Sequence, residues 1–266
     1  MTEKIQKDRK TVGAMFSSIA PVYDLLNGLL SLGQDAKWRR LLVKGADLPE
    51  SGKVLDLCTG TGDIAVAILK QYPDFKGMIN AIDFSAPMVD KARGKVARLG
   101  PPFPRTIDFA MGDALDMQFP DDKFDVVTVG FGVRNFTDLK SGLEEIYRVL
   151  KPGGQMSVLE FFPDGIGGHF VRWYLDHVVP LIGNLVSGTK AYTYLRRSSD
   201  DFFTTQEFES MLKSLGFVDI SWERLTHGIA HIVRARKGRD TDEKHSRGHY
   251  RGKRGDLRST AYRHFV

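Results

Sequence analysis

Cysteine is nearly absent from this 266-residue chain, in which Cys58 stands alone. A single cysteine excludes a disulfide within the chain, and such scarcity is typical of a reducing compartment. Long hydrophobic runs are absent as well, so we expect no transmembrane helix. No apolar segment of the signal-peptide kind follows the first charged residues. These absences favour a cytoplasmic location, with peripheral attachment at the inner face of a membrane as the alternative.

Metal-binding patterns are also missing. His227 and His231 are four residues apart, but they fall on a predicted hairpin, where this spacing does not place two imidazole rings on one helix face. Cys58 follows an apolar run and is interpreted as a small buried hydrophobe rather than a nucleophile. We therefore predict no metal site.

Excess positive charge is absent from most of the chain, although the formal net charge is +5. Residues 236–266 hold ten Lys and Arg against four Asp and Glu, which leaves 28 basic and 29 acidic residues in 1–235. We predict that 237–266 is a disordered basic tail, because it contains few apolar residues. An arm for anionic lipid headgroups or nucleic acid is the alternative.

The sequence predicts one domain that lies between a flexible leader, residues 1–12, and the basic tail. Within the domain, 13–236, residues 13–50 have helical periodicity and form a predicted N-terminal cap, which Pro21 interrupts. Strands and helices then alternate from Val54 onward. This alternation is the pattern of a doubly wound parallel sheet.

The alternation predicts an α/β fold with a seven-stranded, mostly parallel sheet. An apolar helical insertion at 165–200 departs from it before the last two strands. Those strands, 218–224 and 229–236, are joined by the short Thr226-His227-Gly228 connection. Such a connection predicts a hairpin, so the last strand should be antiparallel.

One stretch, Lys53 to Ile64, is the reference point for the rest of the sheet. An apolar run carrying Asp56 breaks into Gly60-Thr61-Gly62, and a helical pattern follows. Strand, glycine turn and helix start form the first unit of a nucleotide-binding sheet. Both glycines lack a Cβ, so the backbone can turn sharply and approach a ligand closely.

Acidic residues at the ends of the strands distinguish between the ligands of such a loop. Ligands bind at the carboxyl ends of parallel strands, and four aspartates fall there: Asp56, Asp63, Asp83 and Asp113. No Lys or Arg stands in the glycine loop. This set would repel a pyrophosphate and attract a sulfonium cation, which favours S-adenosylmethionine over a dinucleotide. Each aspartate taken singly is better interpreted as a helix cap or turn residue, but that interpretation does not explain four of them at successive strand ends.

Individual contacts can be assigned on this hypothesis. Asp83 stands at the end of the second strand, where an acid can hold the ribose diol. Asp113 follows the third strand and would bind the adenine amino group. Ala114, Phe84 and Met88 would form the walls around the adenine ring.

Four short motifs resemble those of class I methyltransferases, which have a Rossmann-like sheet. They are V-L-D-L-C-T-G-T-G-D in the glycine loop, I-D-F-S at 82–85, G-D-A at 112–114 and F-P-D-D-K-F-D-V-V at 119–127. More narrowly, the chain resembles the ubiquinone/menaquinone biosynthesis C-methyltransferase family over roughly residues 14 to 236.

Three signatures carry the narrower resemblance. The first runs from Tyr23 to Trp38, the second is F-G-V-R-N at 131–135, and the third joins R-V-L-K-P-G-G at 148–154 to Glu160. Two positions depart from the family pattern. Asp35 stands where the family has histidine, and Phe162 stands where it has serine.

The resemblance implies binding of S-adenosylmethionine through Thr61, Asp83 and the Asp113-Ala114 pair. Gly130 stands where the family has a serine, so only a backbone contact carries over to it. The implied reaction methylates a ring carbon of a demethylated quinol, either demethylmenaquinol or a ubiquinone precursor. We predict that Arg134 stabilises the phenolate form of this acceptor, with an ion pair that holds its loop as the alternative.

The remaining candidates face the substrate. They are Tyr23, Asp24, Asn27, Asp35, Glu160 and Tyr192, and each could instead have a packing or capping role. The insertion and the leucines of the cap could form a lid and an apolar channel for an isoprenoid tail. Ordinary packing and a homodimer contact are the alternatives.

Three other functions compete with quinol methylation. The chain could methylate another small phenolic or polyketide-like molecule, or act as a non-catalytic binding subunit with a methyltransferase fold. Nucleic-acid methylation is disfavoured, because only the basic tail supports it and the N-P-P-Y-type motif of amino-group DNA methyltransferases is absent.

Overall fold

The structure is a computed structural model that describes residues 9–100, 106–165 and 168–239. Most of the predicted leader and nearly all of the predicted basic tail lie outside these residues. The first helix begins at Arg9, earlier than the predicted domain boundary at residue 13. Within the described ranges, no helix is long and apolar enough to cross a bilayer.

A seven-stranded sheet forms the centre of the molecule in the order β3-β2-β1-β4-β5-β7-β6. The strands are β1 Lys53–Leu57, β2 Met78–Asp83, β3 Ile107–Met111, β4 Phe124–Gly130, β5 Leu150–Glu160, β6 Phe217–Leu225 and β7 Ala230–Lys237. Only β7 runs antiparallel to its neighbours, pairing with β5 and β6. The predicted fold class, including the hairpin, is confirmed.

Helices surround the sheet. They are α1 Arg9–Ile19, α2 Tyr23–Leu30, α3 Gln34–Lys44, α4 Asp63–Gln71, α5 Ala86–Ala97, α6 Leu139–Val149, α7 His169–Trp173, α8 Val179–Ser187, α9 Ala191–Asp200 and α10 Thr205–Ser214, with a π-helical turn at Tyr174–Val178. Helices α3, α4 and α5 share one core with the sheet, while α6 and α10 share the other. The central strands are therefore buried on both faces, as their nearly continuous apolar runs predict.

A third, smaller core lies outside the sheet. Leu26 and Leu30 of α2 pack there with Val179 of α8 and Ala191 of α9. The hydroxyl of Tyr174 also donates a hydrogen bond to the Leu30 carbonyl, at 3.1 Å. The N-terminal helices and the late helical insertion therefore form one packed unit.

The direction of winding reverses between β1 and β4. Strand β1 pairs with β2 on one side and with β4 on the other, all in parallel. In sheets of this kind, ligands bind at the carboxyl ends of the strands beside such a reversal. The glycine loop follows β1, and the F-G-V-R-N segment follows β4. Both segments therefore lie at the predicted binding edge of the sheet.

Candidate active site

The glycine loop leaves β1 through backbone conformations that favour glycine. Gly60 has φ +56° and Gly62 has φ +81°. A Cβ on Gly62 would lie 3.0 Å from the Ala92 Cβ, so this glycine permits close packing onto α5. A Cβ on Gly60 would meet nothing within 4 Å among the described residues. The space beside Gly60 is therefore open.

A pocket opens beside this loop, and we call it the glycine-loop pocket. Seven residues predicted to bind the cofactor line it: Gly60, Asp83, Phe84, Met88, Asp113, Ala114 and Gly130. The rest of its wall comes from α1, from Tyr23, from residues 131–137 after β4 and from the strand ends, which contribute Leu57, Cys58, Ile82, Gly112 and Leu115. No Lys or Arg of the described chain contributes to this wall.

Asp83 links the ends of β1 and β2. One carboxylate oxygen accepts the Gly60 amide at 2.9 Å, and the other accepts the Ser85 amide at 2.9 Å. Burial raises the pKa of Asp83, although these backbone hydrogen bonds oppose the shift. A carboxylate oxygen can accept more than one hydrogen bond, so Asp83 retains capacity for a ligand hydroxyl.

Asp56 lies beneath the loop and does not line the pocket. It is fully buried and accepts hydrogen bonds from the hydroxyls of Thr59, at 2.6 Å, and Thr128, at 2.9 Å. Burial raises its pKa to about 6. Its contacts join β1, β4 and the start of the loop.

Thr61 and Asp63 belong to a charge network on the far side of the loop. The Thr61 hydroxyl donates to Asp24 at 2.6 Å. Lys95 pairs with Asp24 at 3.0 Å and with Asp63, while Arg39 lies 3.5 Å from Asp63. Cations from α3 and α5 thus neutralise Asp24 and Asp63, and the pocket keeps Asp83 and Asp113 as its acids.

A second cavity of about 450 Å³ adjoins the first. We call it the apolar cavity, since most of its wall is apolar or aromatic. The wall consists of Tyr23, Asn27, Leu30, Ser31, Leu32, Gln34, Asp35, Trp38, Arg39, Phe131, Arg134, Phe161, Val171, Tyr174, Leu175, Val179, Tyr192, Leu195, Arg196, Ser199, Thr226 and Ile229. Tyr23 and Phe131 line both spaces. The volume is within the range of small-molecule sites.

Arg134 enters the apolar cavity from the loop after β4. Its side chain is 2% exposed and forms an ion pair with Glu160, which is fully buried. The Phe161 amide also donates to Glu160, at 2.9 Å. Burial raises the pKa of Glu160, and the Arg134 charge opposes this shift. The guanidinium lies near the rings of Phe131, at 5.7 Å, and Phe161, at 5.5 Å.

Four of the six predicted substrate residues line the apolar cavity: Tyr23, Asn27, Asp35 and Tyr192. Asp24 does not line it and instead pairs with Lys95 beside the glycine loop. Glu160 does not, because it contacts Arg134 from behind the wall. Asn27 hydrogen-bonds the Tyr23 hydroxyl, and burial raises the pKa of Tyr23 against the opposing charge of Arg39.

The two departures from the family pattern lie in different environments. Asp35 accepts hydrogen bonds from Ser31, at 2.9 Å, and from Arg39, at 2.6 Å. Burial would lower the pKa of Arg39, but Asp63, Tyr23 and Asp35 together raise it. Phe162 is fully buried in the core. It packs against the rings of Phe202, Phe208, Trp222 and His231.

Sequence reasoning missed three contributors to the site. Arg39 gave no signal, since a cation on a helix is exposed by default. Phe131 was named only as part of a motif, yet its φ of +56° places its ring between the two spaces. Trp38, which the sequence marked only as the end of the first family signature, packs edge-on to Phe131 and Phe161. Among the described residues, no group of three or more His, Cys, Asp or Glu could hold a metal ion.

Comparison with known proteins gives one consistent family. The model of the ubiE/COQ5 methyltransferase family matches residues 3–237. The ubiquinone/menaquinone biosynthesis C-methyltransferase UbiE of Geobacter sulfurreducens is 42% identical over 240 residues, covering 90% of this chain and 91% of that protein. The demethylmenaquinone methyltransferase of Thermus thermophilus is 43% identical over 221 residues, covering 82% and 97%.

Solved structures with similar folds are more distant in sequence. The cyclase SpnF superposes with a TM-score of 0.66 at 18% identity, covering 90% of this chain and 98% of that one. A SAM-dependent methyltransferase from Aquifex aeolicus has a TM-score of 0.55 at 19% identity, covering 75% and 89%. These likenesses define the fold alone, because one fold carries out different reactions.

The buried Asp56 carboxyl predicts a pH dependence of stability. Its folded pKa of about 6 exceeds the ordinary 3.8, so the folded state holds the proton more tightly than the unfolded state. Stability should therefore fall as pH rises through this interval. Between pH 4 and pH 7, wild type should lose about 2 kcal/mol of unfolding free energy relative to Asp56→Asn, measured by urea unfolding.

Asp125→Asn is the matched control. Burial would raise the pKa of Asp125, but Lys151 and the Lys53 amide hold it below the ordinary 3.8. This carboxyl therefore changes charge below the interval, and wild type and Asp125→Asn should keep a nearly constant difference between pH 4 and pH 7. A constant difference between wild type and Asp56→Asn across this interval would contradict the prediction for Asp56.

The buried ion pair predicts a large cost for losing one partner. Glu160→Gln leaves the Arg134 charge buried without its counter-ion, so we expect a loss of about 3–5 kcal/mol in the free energy of unfolding. Glu144→Gln removes the same charge from an exposed pair with Lys140 and should cost less than about 1 kcal/mol. Equal losses in the two variants, measured by urea denaturation, would contradict this ranking.

Proposed function

We propose, on the premise that this chain belongs to the ubiE/COQ5 methyltransferase family, that it is an S-adenosylmethionine-dependent C-methyltransferase acting on a demethylated quinol in quinone biosynthesis. Family membership confirms the resemblance found in the sequence motifs. The observation that carries the proposal is the meeting of the acidic glycine-loop pocket and the apolar cavity at Tyr23 and Phe131.

The glycine-loop pocket fits the proposed cofactor. Its acids and the absence of Lys or Arg from its described wall suit a cation better than a pyrophosphate. Asp83 would hold the ribose hydroxyls, and Asp113 with Ala114 would bind the adenine edge. When bound, S-adenosylmethionine supplies an electrophilic methyl group on a sulfonium sulfur. A structure of phosphoethanolamine N-methyltransferase 2 from Haemonchus contortus, with a TM-score of 0.56 at 17% identity, contains this cofactor.

Arg134 would act on the methyl acceptor. A ring carbon becomes nucleophilic when the neighbouring hydroxyl loses its proton, and a buried cation lowers the cost of that ionisation. Because a guanidinium stays protonated, Arg134 stabilises the phenolate while water takes the proton. Glu160 holds the guanidinium in place, so the predicted ion pair and the predicted catalytic role are compatible.

The cap, 13–50, and the insertion, 165–200, would together enclose the acceptor. Leu30, Val171 and Leu175 give the cavity an apolar wall suited to an isoprenoid tail. We assign the insertion as the lid of the site. Positioning the acceptor beside the methyl group supplies much of the rate in such transfers.

A membrane surface is the proposed source of the substrate. Leu25 and Leu29 of α2, Leu32 after it, and Leu181 and Leu185 of α8 are all exposed. Leu32 also lines the apolar cavity, so the exposed leucines continue the path of a lipid tail outward. We propose transient peripheral contact through this leucine surface, with a homodimer contact as the alternative occupant.

A second candidate function is methylation of another hydroxylated aromatic or polyketide-like molecule. The Asp35–Arg39 ion pair favours it, because it places a carboxylate, which only accepts hydrogen bonds, on the cavity wall where the family pattern has histidine. A non-catalytic binding role lacks a comparable observation in its favour.

Transfer of a labelled methyl group tests the proposed function. Incubation with labelled S-adenosylmethionine and reduced benzoquinone, naphthoquinone and simple phenol acceptors should place label on a ring carbon of a demethylated quinol. Label in phenols alone would favour the second candidate. Label in none of the acceptors, under conditions where cofactor binding is measurable, would reject methyltransfer by this chain.

Arg134→Lys is the matched variant in the same assay. Lysine keeps the charge beside Glu160 but lacks the planar guanidinium fork, so we expect the turnover number to fall by about 100-fold. Affinity for S-adenosylmethionine should be unchanged, because Arg134 does not line the glycine-loop pocket. Turnover within a few-fold of wild type would remove the proposed role of Arg134.

Vesicle sedimentation tests the leucine surface. The triple change Leu25→Ser, Leu29→Ser and Leu185→Ser should abolish binding to phospholipid vesicles and transfer to a vesicle-borne quinol, because it removes the exposed apolar area. Transfer to a short-chain, water-soluble quinol should persist. Met111→Ser, at the exposed sheet edge, is the control. If the triple change instead disperses a wild-type dimer, the leucines form a dimer contact.

A further inference from the structure

The glycine-loop pocket is small for the cofactor proposed to bind there. Its volume is about 100 Å³, whereas sites for small molecules and cofactors usually measure about 300–1,000 Å³. Most of its wall consists of strand ends and the segments that follow them, which the sheet holds in place. Helices α1 and α2 supply Val12, Phe16 and Tyr23. These two helices are therefore the part of the wall that must shift when a larger ligand enters.

Both helices are closed onto the pocket in this structure. A Cβ on Gly13 of α1 would lie 2.9 Å from the Phe84 ring. The hydroxyls of Ser17 and Ser85 are 2.9 Å apart. The Lys91 ammonium of α5 donates to two backbone carbonyls at the corner between α1 and α2, at 2.8 and 3.2 Å. Entry and release of a ligand must break contacts of this kind.

One ammonium group joins these helices to the glycine loop. Lys95 of α5 lies 3.0 Å from Asp24 of α2 and also pairs with Asp63, the first residue of α4. It donates to the Thr61 hydroxyl at 3.0 Å, and that hydroxyl donates to Asp24 at 2.6 Å. Lys95 therefore contacts the cap and the glycine loop at the same time.

Without this ammonium, the cap and the loop would repel each other. Asp24 and Asp63 both contact the same nitrogen atom, so the two carboxylates lie close together. Two other cations, Arg39 and Lys91, approach these carboxylates only to 3.5 Å. Like charges at short range in a partly buried site cost free energy. The ammonium therefore converts a repulsion between cap and loop into an attraction.

The Asp24 carboxyl is charged at neutral pH. Burial would raise its pKa, but the Thr61 hydroxyl and the Lys95 charge hold the pKa below the ordinary 3.8. The side chains of Lys95, Asp24 and Asp63 are 25%, 32% and 30% exposed. Salt in the solvent should therefore weaken the contact, because it screens charges that water can reach.

We propose that Lys95 is a positioning residue that holds the cap closed over bound S-adenosylmethionine. Lys95 is not part of the described wall of the glycine-loop pocket. It acts through Asp24, the neighbour of Tyr23 in the chain. Release of the cofactor requires the cap to separate from the glycine loop, and this separation breaks the contacts of Lys95. The inference rests on the proposed function, since it presupposes that this pocket binds S-adenosylmethionine.

Dissociation of S-adenosylmethionine from the full chain, measured by surface plasmon resonance, tests this role. Lys95→Met should release the cofactor about tenfold faster, because loss of one partner of a charge pair acts mainly on dissociation. Asp24→Asn, alone or combined with Lys95→Met, should release it only about threefold faster, since the repulsion is then absent. Lys95→Arg should stay close to wild type, because it keeps the charge.

Lys70→Met is the matched control, since it removes the same charge from an exposed site on α4. Its release rate should equal that of wild type. Higher ionic strength should speed release from wild type and have little effect on the double variant Asp24→Asn with Lys95→Met.

Two results would overturn this inference alone. One is an unchanged release rate in Lys95→Met, and the other is a double variant that releases the cofactor as fast as Lys95→Met. If Lys95→Met does not fold, Asp24→Asn is compared with wild type, and equal release rates overturn the inference. A wild-type chain that binds no S-adenosylmethionine would overturn the proposed function as well.

Discussion

The buried ion pair between Arg134 and Glu160 is the interaction around which the acceptor side of this site is built. Removing two charges from water is costly, and the cost is tolerable only when each charge has a partner and further hydrogen bonds. Here the carboxylate receives the guanidinium and the Phe161 amide. The pair joins the ends of β4 and β5, so the position of the cation is fixed by the sheet itself.

The cofactor side depends on a different set of charges. Lys95 and Arg39 reach the glycine loop from α5 and α3 and pair with Asp63, while Lys95 also pairs with Asp24. The Asp24 carboxylate in turn receives the Thr61 hydroxyl. The cap is therefore attached to the loop by charge as well as by apolar packing, and Tyr23 is held where the two spaces meet.

Much of the fold follows from local patterns in the chain. Apolar runs, glycine turns and helical periodicity predict the sheet, its hairpin, the helical cap and the helical insertion, because these signals act over a few neighbouring residues. The candidate site follows only in part. Asp56 and Asp63 share the strand-end position of Asp83, but side-chain direction and distant cations decide that they do not line the pocket. Those factors depend on packing between remote segments.

The joining of the cap to the insertion also has a consequence during synthesis of the chain. Leu30 leaves the ribosome 144 residues before Tyr174, with which it pairs. At ordinary rates of about 5–20 residues per second, the cap waits roughly seven to thirty seconds for its partner. Its apolar face is unprotected during that delay. Completion of the cavity is thus a late event in the synthesis of the chain.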